Sequence, residues 1–585
     1  MKNKYLVRLI GFALLLSILT ACGGNLEPTI ENNGEPSTEV SSISGDRWLR
    51  MAVSGSPDLD PAAYTSWSRV YCYLNVYDSL VMYDSFGNLT PLLAESWEVS
   101  NDGLSYTFKL KQGVKFHDGS ELTSSDIAFT WNRLSTLASG FAYLYKNIID
   151  TVDAVDDYTV VFTLVSPYGT FLETLTRMYI VNEDLIMSNL DFQNETFNYG
   201  DVYGDFGRTY LLDHDAGSGP YQTVEMSQQN YLIASAFQDY HLGWNENAPN
   251  KIQIINNTEP TTIRTMLASR ELELSDNWQS PESLDAFDKI DGIEIAPFSM
   301  SAQQQLNLNI SKPPLDDLYF RRALASLVDY ESLAENVFPD SVVATGPSNK
   351  NTPGAATNHN NYPYSYNIEK SKEYLALSKY ADSLDQYPVE FFTSSAAQIQ
   401  PKLALPLQAA AQQVGITVEI TSAPLATQQE RNANSDTTPH IETYSFAPYY
   451  WDAGTIFETH YSSRNEGNGN NTMWLSKSDW SNVVTPNDIK LTGIEDWDHL
   501  IGSVMSITNQ TERFAKYAML ENIIMDNVFN IPLASITERV AYQAEYVMWP
   551  TAEHYKTTGE LASTSVGYQF WFHDFEVYND KVPQQ

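Results

Sequence analysis

Short stretches of alternating polar and apolar residues predict β-strands at several places along the chain. Residues 105–111 alternate with a period of two, and residues 159–164 are rich in β-branched and aromatic side chains. Residues 416–420 alternate in the same way. We therefore expect a strand at each of these three places.

Helical spacing of apolar residues lies between these strands. The sequence Ser-Ser-Asp at residues 124–126 precedes an apolar run, and a side-chain oxygen there can cap the first turn of a helix. Further helices are predicted at residues 321–328, 368–375 and 407–414. In the last of these, Pro406 is expected in the first turn and Gly415 marks the end. Because both periods occur and no segment repeats, the sequence predicts an α/β fold.

The N-terminus has the pattern of an export signal. Three basic residues precede an apolar run at residues 9–19, which is too short for a stable membrane-spanning helix. The run ends in Leu-Thr-Ala-Cys-Gly, which resembles the site at which bacterial prolipoproteins are lipidated and cleaved. We therefore expect residues 1–21 to be a lipoprotein signal peptide and Cys22 to be the lipidated N-terminus.

Residues 22–44 are rich in Gly, Asn, Glu, Pro and Ser and contain no aromatic residue, so they are expected to form a flexible tether. About 540 residues follow, enough for two or three domains. Their only cysteine is Cys72, which excludes an internal disulfide in this part of the chain.

The chain is strongly acidic, with 73 acidic and 34 basic residues and a formal net charge of −39. A negative field of this size repels the phosphates of nucleic acids and the headgroups of anionic lipids. We therefore expect no nucleic-acid partner, and contact with the membrane through the lipid anchor alone.

A series of motifs then resembles one family. Residues 91–100 (Pro-Leu-Leu-Ala-Glu-Ser-Trp-Glu-Val-Ser), Asp102-Gly103 and residues 113–119 (Gly-Val-Lys-Phe-His-Asp-Gly) are similar to the signature of bacterial extracellular solute-binding proteins of family 5. Residues 217–221 (Gly-Ser-Gly-Pro-Tyr) resemble the glycine-proline-tyrosine turn of that family. Residues 306–329 resemble its entry into the second lobe, and later similarities lie at residues 414–416 and 531–533.

This resemblance implies a two-lobed periplasmic-binding-protein-like α/β fold of type II, with an extra domain inserted in the first lobe. By resemblance, lobe I comprises residues 45–77, 182–305 and 539–585, the inserted domain residues 78–181, and lobe II residues 306–538. Two crossovers join the lobes, and the cleft between them closes over a solute.

The resemblance also places three aromatic segments in the cleft. The residues expected to contact ligand are Tyr64, Trp67, Asn277, Trp278, Tyr449, Tyr450, Trp451 and Asp452. Tyrosine and tryptophan give large contact areas at a small cost in rotamer entropy, and their polar tips form hydrogen bonds.

One position departs from the peptide-binding members of the family. These proteins commonly carry an aspartate, which pairs with the α-ammonium of the peptide, where this chain has Tyr449. Either Asp452 or another carboxylate replaces it, or the ligand is not a free-amino peptide. We expect an oligopeptide or a similar solute, with an oligosaccharide stacked on the aromatic residues as the alternative.

The resemblance implies a lipid-anchored, monomeric substrate-binding protein on the extracytoplasmic face of the cell membrane, which delivers its solute to the permease subunits of an ABC transporter. The nine histidines form no metal-binding motif, and no nucleophilic serine elbow occurs, so we expect no metal, no cofactor and no enzyme activity. A hydrolase and a receptor or chaperone without transport function are the alternatives from other classes.

Overall fold

The computed structural model describes residues 45–359, 364–395, 397, 399–467, 471–486 and 489–583. The predicted signal peptide, the lipidation site at Cys22 and the tether lie outside the described residues. Across the described ranges, no α-helix combines the length and the apolar character that crossing a bilayer requires.

The strands are β1 Trp48–Val53, β2 Val81–Tyr83, β3 Leu89–Pro91, β4 Ala94–Val99, β5 Ser105–Leu110, β6 Ile149–Asp156, β7 Thr159–Leu164, β8 Tyr221–Ser227, β9 Tyr231–Ala236, β10 Lys251–Asn256, β11 Ile293–Phe298, β12 Gln303–Leu308, β13 Val342–Val343, β14 Val389–Ser394, β15 Val418–Ala423, β16 Ile441–Phe446, β17 Asn530–Ser535, β18 Glu538–Gln543, β19 Val547–Met548 and β20 Glu576–Val577. The α-helices are α1 Trp67–Val76, α2 Ser124–Leu137, α3 Phe171–Thr174, α4 Glu183–Met187, α5 Gly200–Tyr203, α6 Pro260–Ala268, α7 Pro281–Phe287, α8 Leu318–Ala325, α9 Tyr330–Asn336, α10 Ile368–Leu375, α11 Gln400–Gln412, α12 Leu425–Asn432, α13 Gly454–Ile456, α14 Ile494–Met505, α15 Gln510–Asp526 and α16 Pro550–Thr558.

Three sheets organise the molecule. Sheet 1 has the strand order β1-β10-β9-β8, and bridges through Leu274 connect it to the β11-β18 pair. Sheet 2 has the order β13-β17-β12-β16-β14-β15, with parallel pairing of β14 to both β15 and β16. Sheet 3 is the antiparallel β4-β5-β7-β6. Parallel and antiparallel strands covered by helices confirm the α/β prediction.

The chain passes between sheet 1 and sheet 2 at two adjacent places. Strand β11 leads into β12 through residues 299–302, and β17 leads into β18 through residues 536–537. The two connections lie side by side, because the Ile536 N–H donates to the Ala302 carbonyl at 2.9 Å. The paired crossovers form a hinge between the sheets. The described residues from 45 onward belong to one compact unit, and the boundaries of the lobes and the insert stay predictions.

The strands at residues 105–111 and 159–164 are confirmed as β5 and β7, and the helix at 368–375 is confirmed as α10. The capping residue of α2 is Thr123, one residue before the segment 124–126 that was expected to supply the cap. Thr123 forms a capping box with Asp126.

The prediction for Pro406 is wrong. Helix α11 begins at Gln400 and carries Pro401 in its first turn, so Pro406 lies in the helix interior. The position tolerates proline because both Pro406 and Lys402 are exposed, and water can solvate the Lys402 carbonyl that loses its N–H partner.

Candidate functional site

The side chains of Trp67, Trp278 and Tyr449 form an aromatic wall, which begins at the N-terminus of α1. The indole rings of Trp67 and Trp278 stack with their centroids 5.2 Å apart and an interplanar angle of 28°. Trp67 is the first residue of α1, and Trp278 follows the segment that bridges β1 and β18. Because 55% of Trp278 is exposed, the pair presents apolar surface to solvent. Tyr64 lies nearby in sequence and is itself covered by the Arg69 guanidinium, 3.7 Å from the ring centroid.

Tyr449 extends this wall from the side of sheet 2. It follows β16, and its ring packs edge-on against Phe141 with the centroids 5.2 Å apart. Burial raises the pKa of the Tyr449 hydroxyl to about 12, while hydrogen bonding with the side chains of Thr65 and Trp67 opposes the rise. Tyr449 therefore brings the segment after β16 against the residues that precede α1.

The backbone of the same segment is fixed by Arg177. The Arg177 Nε donates to the Tyr449 carbonyl at 2.5 Å, and the Ser565 Oγ donates to the same oxygen at 2.6 Å. Arg177 Nη2 in turn donates to the Ser565 Oγ and to the Val566 carbonyl. This buried arginine joins residues far apart in the chain, and no pattern in the sequence identified it.

Trp451 lies at the hinge. Its Nε1 donates to the Ser301 Oγ at 3.0 Å, and its backbone N–H donates to the Tyr83 hydroxyl at 3.0 Å. The ring lies against Gly87, where a Cβ would overlap the indole. A cavity of about 340 Å³ opens beside it. The residues that line this cavity are Phe86, Asn351, Trp451, His554, Leu561, Ala562 and Ser563.

Tyr450 and Asp452 lie in the packed interior instead of on the wall. Each is 1% exposed. The Asp452 carboxylate accepts from Arg513 Nη2 at 3.3 Å and from the Gly454 N–H at 2.7 Å. Because Arg513 already neutralises the Asp452 carboxylate, this pair stabilises the interior of the protein. A role in ligand binding for these two residues stays a prediction, as it does for the half-buried Asn277.

Two buried carboxyl groups lie on neighbouring segments, one of which carries Trp278. Asp276 precedes Asn277 and Trp278, and its oxygens accept from the Trp278 N–H at 2.8 Å and from Gln279 Nε2 at 2.6 Å. Glu538 begins β18, and its Oε2 accepts from the Met300 N–H at 2.9 Å. Burial raises the pKa of both groups, that of Glu538 to about 8. No sequence pattern indicated Glu538, because its position depends on the pairing of β11 with β18.

A second cavity, of about 290 Å³, lies away from the wall near the predicted signature residues. On its lining, His117 Nδ1 lies 2.6 Å from Asp215 Oδ1, and His117 Nε2 lies 2.9 Å from the Gly219 carbonyl. With an acceptor at each ring nitrogen, the imidazole is best accommodated as the doubly protonated cation. Within the part of the chain that the structure describes, no three His, Cys, Asp or Glu side chains are grouped as metal ligands.

Comparison with known proteins agrees with this architecture. The family model described as bacterial extracellular solute-binding proteins, family 5, middle, matches residues 88–468. The probable D,D-dipeptide-binding periplasmic protein DdpA of Escherichia coli is 24% identical over 502 residues, covering 83% of this chain and 88% of its own.

Two solved structures share the fold. The ABC transporter substrate-binding protein CtaP of Listeria monocytogenes superposes with a TM-score of 0.74 at 20% identity, covering 91% of this chain and all of its own. The binding protein DppA of Helicobacter pylori, in complex with the peptide STSA, gives a TM-score of 0.70 at 22% identity over 91% of this chain and 98% of its own. The two-lobed fold is thereby confirmed, and the chain belongs to the bacterial extracellular solute-binding proteins of family 5, the substrate-binding proteins of ABC transporters.

Proposed function

We propose that this chain is the lipid-anchored receptor of an ABC importer and captures a short peptide in the cleft beside Trp67, Trp278 and Tyr449. The observation that carries the proposal is the meeting of these three aromatic side chains, two from the side of sheet 1 and one from the segment after β16. Aromatic rings with polar tips suit an amphipathic chain such as a peptide.

The hinge supplies the mechanism of capture. Because only two short connections join sheet 1 to sheet 2, the segment after β16 can move away from α1 with little disruption of either sheet, although the hydrogen bonds from Arg177 and Ser565 to the Tyr449 carbonyl then break. A solute on the wall gains contacts with both sides only when the cleft is closed, so binding favours the closed state. The permease subunits of the importer then recognise that closed state.

The relatives support a peptide as the solute. The matched proteins include one named for D,D-dipeptides and one solved with the peptide STSA. An oligosaccharide is the second candidate, because Tyr449 stands where peptide-binding members commonly carry an aspartate and because Asp452 is paired with Arg513. Exposed stacked indoles such as Trp67 and Trp278 also suit the faces of sugar rings.

The proposal is tested on protein purified without denaturation from its native membrane. Mass spectrometry of the released small molecules is expected to find short peptides, and calorimetry with the identified peptide is expected to show saturable binding of one molecule. Release of oligosaccharides would favour the second candidate. Purified protein that converts its ligand to products over hours would reject a binding role in favour of a hydrolase.

The anchor is tested separately with Cys22→Ser. The wild-type protein is expected in the membrane fraction and to be released from it by detergent, whereas the variant is expected in the soluble fraction. Equal distribution of both proteins would reject the lipid anchor and leave the solute-binding proposal unaffected.

A further inference from the structure

Glu538 is a buried acid with neither a cation beside it nor a hydrogen-bond partner for its Oε1 among the described residues, and the buried Asp276 also lacks a cation. Asp60 lies 2.7 Å from Arg133, Glu273 lies 2.7 Å from Arg50, and Asp452 is paired with Arg513. In the described residues, no Lys, Arg or His nitrogen comes within 4.0 Å of the Asp276 or Glu538 carboxylate. Buried carboxylates without a positive partner are costly, so this arrangement needs a reason.

Glu538 is linked to Tyr71, one turn after Trp67 on α1, because the Tyr71 hydroxyl donates to the Met300 Sδ at 3.9 Å and the Met300 N–H donates to Glu538. Burial raises the pKa of the Tyr71 hydroxyl, and the next causes are the charges of Glu538, Asp276 and Tyr449. The backbone explains why these groups meet. Ser275 and Ala541 exchange hydrogen bonds at 2.9 and 3.0 Å, which brings the segment ending at Asp276 alongside β18, the strand that begins with Glu538.

Glu538 also contacts the hinge through one of its two carboxylate oxygens, and its other oxygen has no hydrogen-bond partner among the described residues. One oxygen accepts from Met300 in the first crossover, and Glu538 itself directly follows the second crossover. The other oxygen, Oε1, is buried and has no hydrogen-bond partner among the described residues, and the whole residue is 4% exposed. A buried acceptor of this kind is satisfied either by a proton on the acid or by a donor supplied from outside the chain.

We propose that an ammonium group of the ligand binds to Glu538, next to Asp276 and Tyr71, and that these carboxylates replace the aspartate missing at Tyr449. The inference rests on the proposed function and adds the charge of the ligand to it. Two carboxylates supply the counter-charge, and the neighbouring tyrosine and tryptophan rings favour a cation at their faces. The net charge of −39 also attracts a cationic solute to the protein.

The proposal predicts a proton exchange. With its pKa raised to about 8, Glu538 carries a proton at neutral pH when the ligand is absent. An ammonium favours the ionised carboxylate, so binding at pH 7 releases a proton to solvent. Above about pH 9 the acid is already ionised and releases none, and a peptide that binds through its α-amino group takes up a proton because that group is mostly neutral in solution. Calorimetry at pH 7 in two buffers with different ionisation enthalpies measures this release, and a residue that only stabilises the fold does not produce it.

The ligand class is tested with an equimolar pool of short synthetic peptides on wild-type protein. Each sequence is present with a free amino terminus, in N-acetylated form, and in N-acetylated form with one added lysine. Retention of the free-amino or lysine-containing members supports the ammonium site and distinguishes the α-ammonium from the side-chain ammonium. Equal retention of the uncharged N-acetylated members overturns the inference but leaves the binding function intact. Retention of no member rejects both a peptide ligand and the inference.

The residue assignment is tested with Glu538→Gln, using the peptide that the wild-type protein retains. The variant is expected to bind it about tenfold more weakly, to lose the preference over the N-acetylated form and to release no proton. Glu442→Gln is the matched control, because Glu442 in β16 is also a buried acid with a raised pKa but accepts from Gln428 of α12. Unchanged charge preference and proton release in a folded Glu538→Gln protein would overturn the proposal. If that variant does not fold, Asp276→Asn is measured in the same way, and an unchanged preference there overturns it.

Discussion

The indole ring of Trp451 lies against Gly87, in the turn between β2 and β3, so closely that a single added carbon at position 87 would overlap the ring. Trp451 also donates from its Nε1 to Ser301 at the hinge. This contact joins the segment after β16 to the β2-β3 hairpin and to the first crossover. It therefore belongs to the arrangement in which both sides of the cleft are together.

Gly87→Ala is expected to weaken ligand binding by about tenfold, because the new methyl group displaces Trp451 and destabilises the closed arrangement. Titration calorimetry with the peptide from the native protein measures the effect. Gly113→Ala is the control, since Gly113 also has a positive φ, +73° against +83° at Gly87, but has open space around its Cα. The two variants share the cost of a positive φ, and equal affinities for both would contradict the role of the Trp451 contact.

Trp278→Ala is expected to weaken binding about tenfold while leaving the melting temperature nearly unchanged. The ring is 55% exposed and stacks on Trp67, so it contributes little core burial but much of the surface that a ligand can contact. Affinity is measured by calorimetry and stability by thermal melting. Phe192→Ala, at an equally exposed aromatic residue outside the wall, is expected to change neither quantity.

The buried pair of Asp452 and Arg513 is expected to stabilise the fold by satisfying both charges. Arg513→Met leaves Asp452 buried without a cation and is expected to lower the free energy of unfolding by about 3–5 kcal/mol. Urea denaturation of the unliganded protein measures this. The exposed pair of Lys115 and Asp239 provides the contrast, and Lys115→Met is expected to cost less than about 1 kcal/mol. Similar losses for the two variants would show that Asp452 is not dependent on Arg513.

The pair of His117 and Asp215 is expected to make stability depend on pH. Although burial opposes the charge, Asp215 raises the pKa of His117 above its ordinary 6.5. Burial alone would raise the pKa of the Asp215 carboxyl, but the charge and the hydrogen bond of His117 lower it below its ordinary 3.8. The contribution of His117 is therefore complete below pH 6.5 and is lost as pH rises through its folded pKa, whereas that of Asp215 is complete above pH 3.8 and is lost on acidification.

The difference in melting temperature between wild type and His117→Gln is accordingly expected to be largest between about pH 4 and pH 6.5 and to shrink above it. Thermal melting across this range measures it. His214→Gln serves as the control, because His214 pairs with Asp213 in an exposed position where solvent screens the charges. A difference for His117→Gln that does not vary with pH would contradict a charged pair.

Local sequence determined the elements whose pattern is complete within a few residues. Alternation in residues 105–110 and 159–164 is sufficient for β5 and β7, because side chains on opposite faces of a strand differ in burial. Helix α10 was predicted with its bounds, since Asn367 caps it and apolar residues recur at helical spacing. The family motifs identified the two-lobed fold in the same way, and they placed Trp67, Trp278 and Tyr449 in segments that the structure brings together.

Tertiary structure alone decided which charges have partners. Asp452 and Arg513 are 61 residues apart, and nothing near either residue in the sequence indicates that they meet. Glu538 lies on a strand beside the segment that ends at Asp276 only because β18 pairs with β11 and Ala541 bonds Ser275. Hydrophobic periodicity fixes which face of an element is buried, but the electrostatic environment of a buried carboxyl depends on groups from several distant elements. The sequence therefore determined the family and the segments that carry the aromatic residues, whereas the three-dimensional packing decided which buried carboxylates have a charged partner.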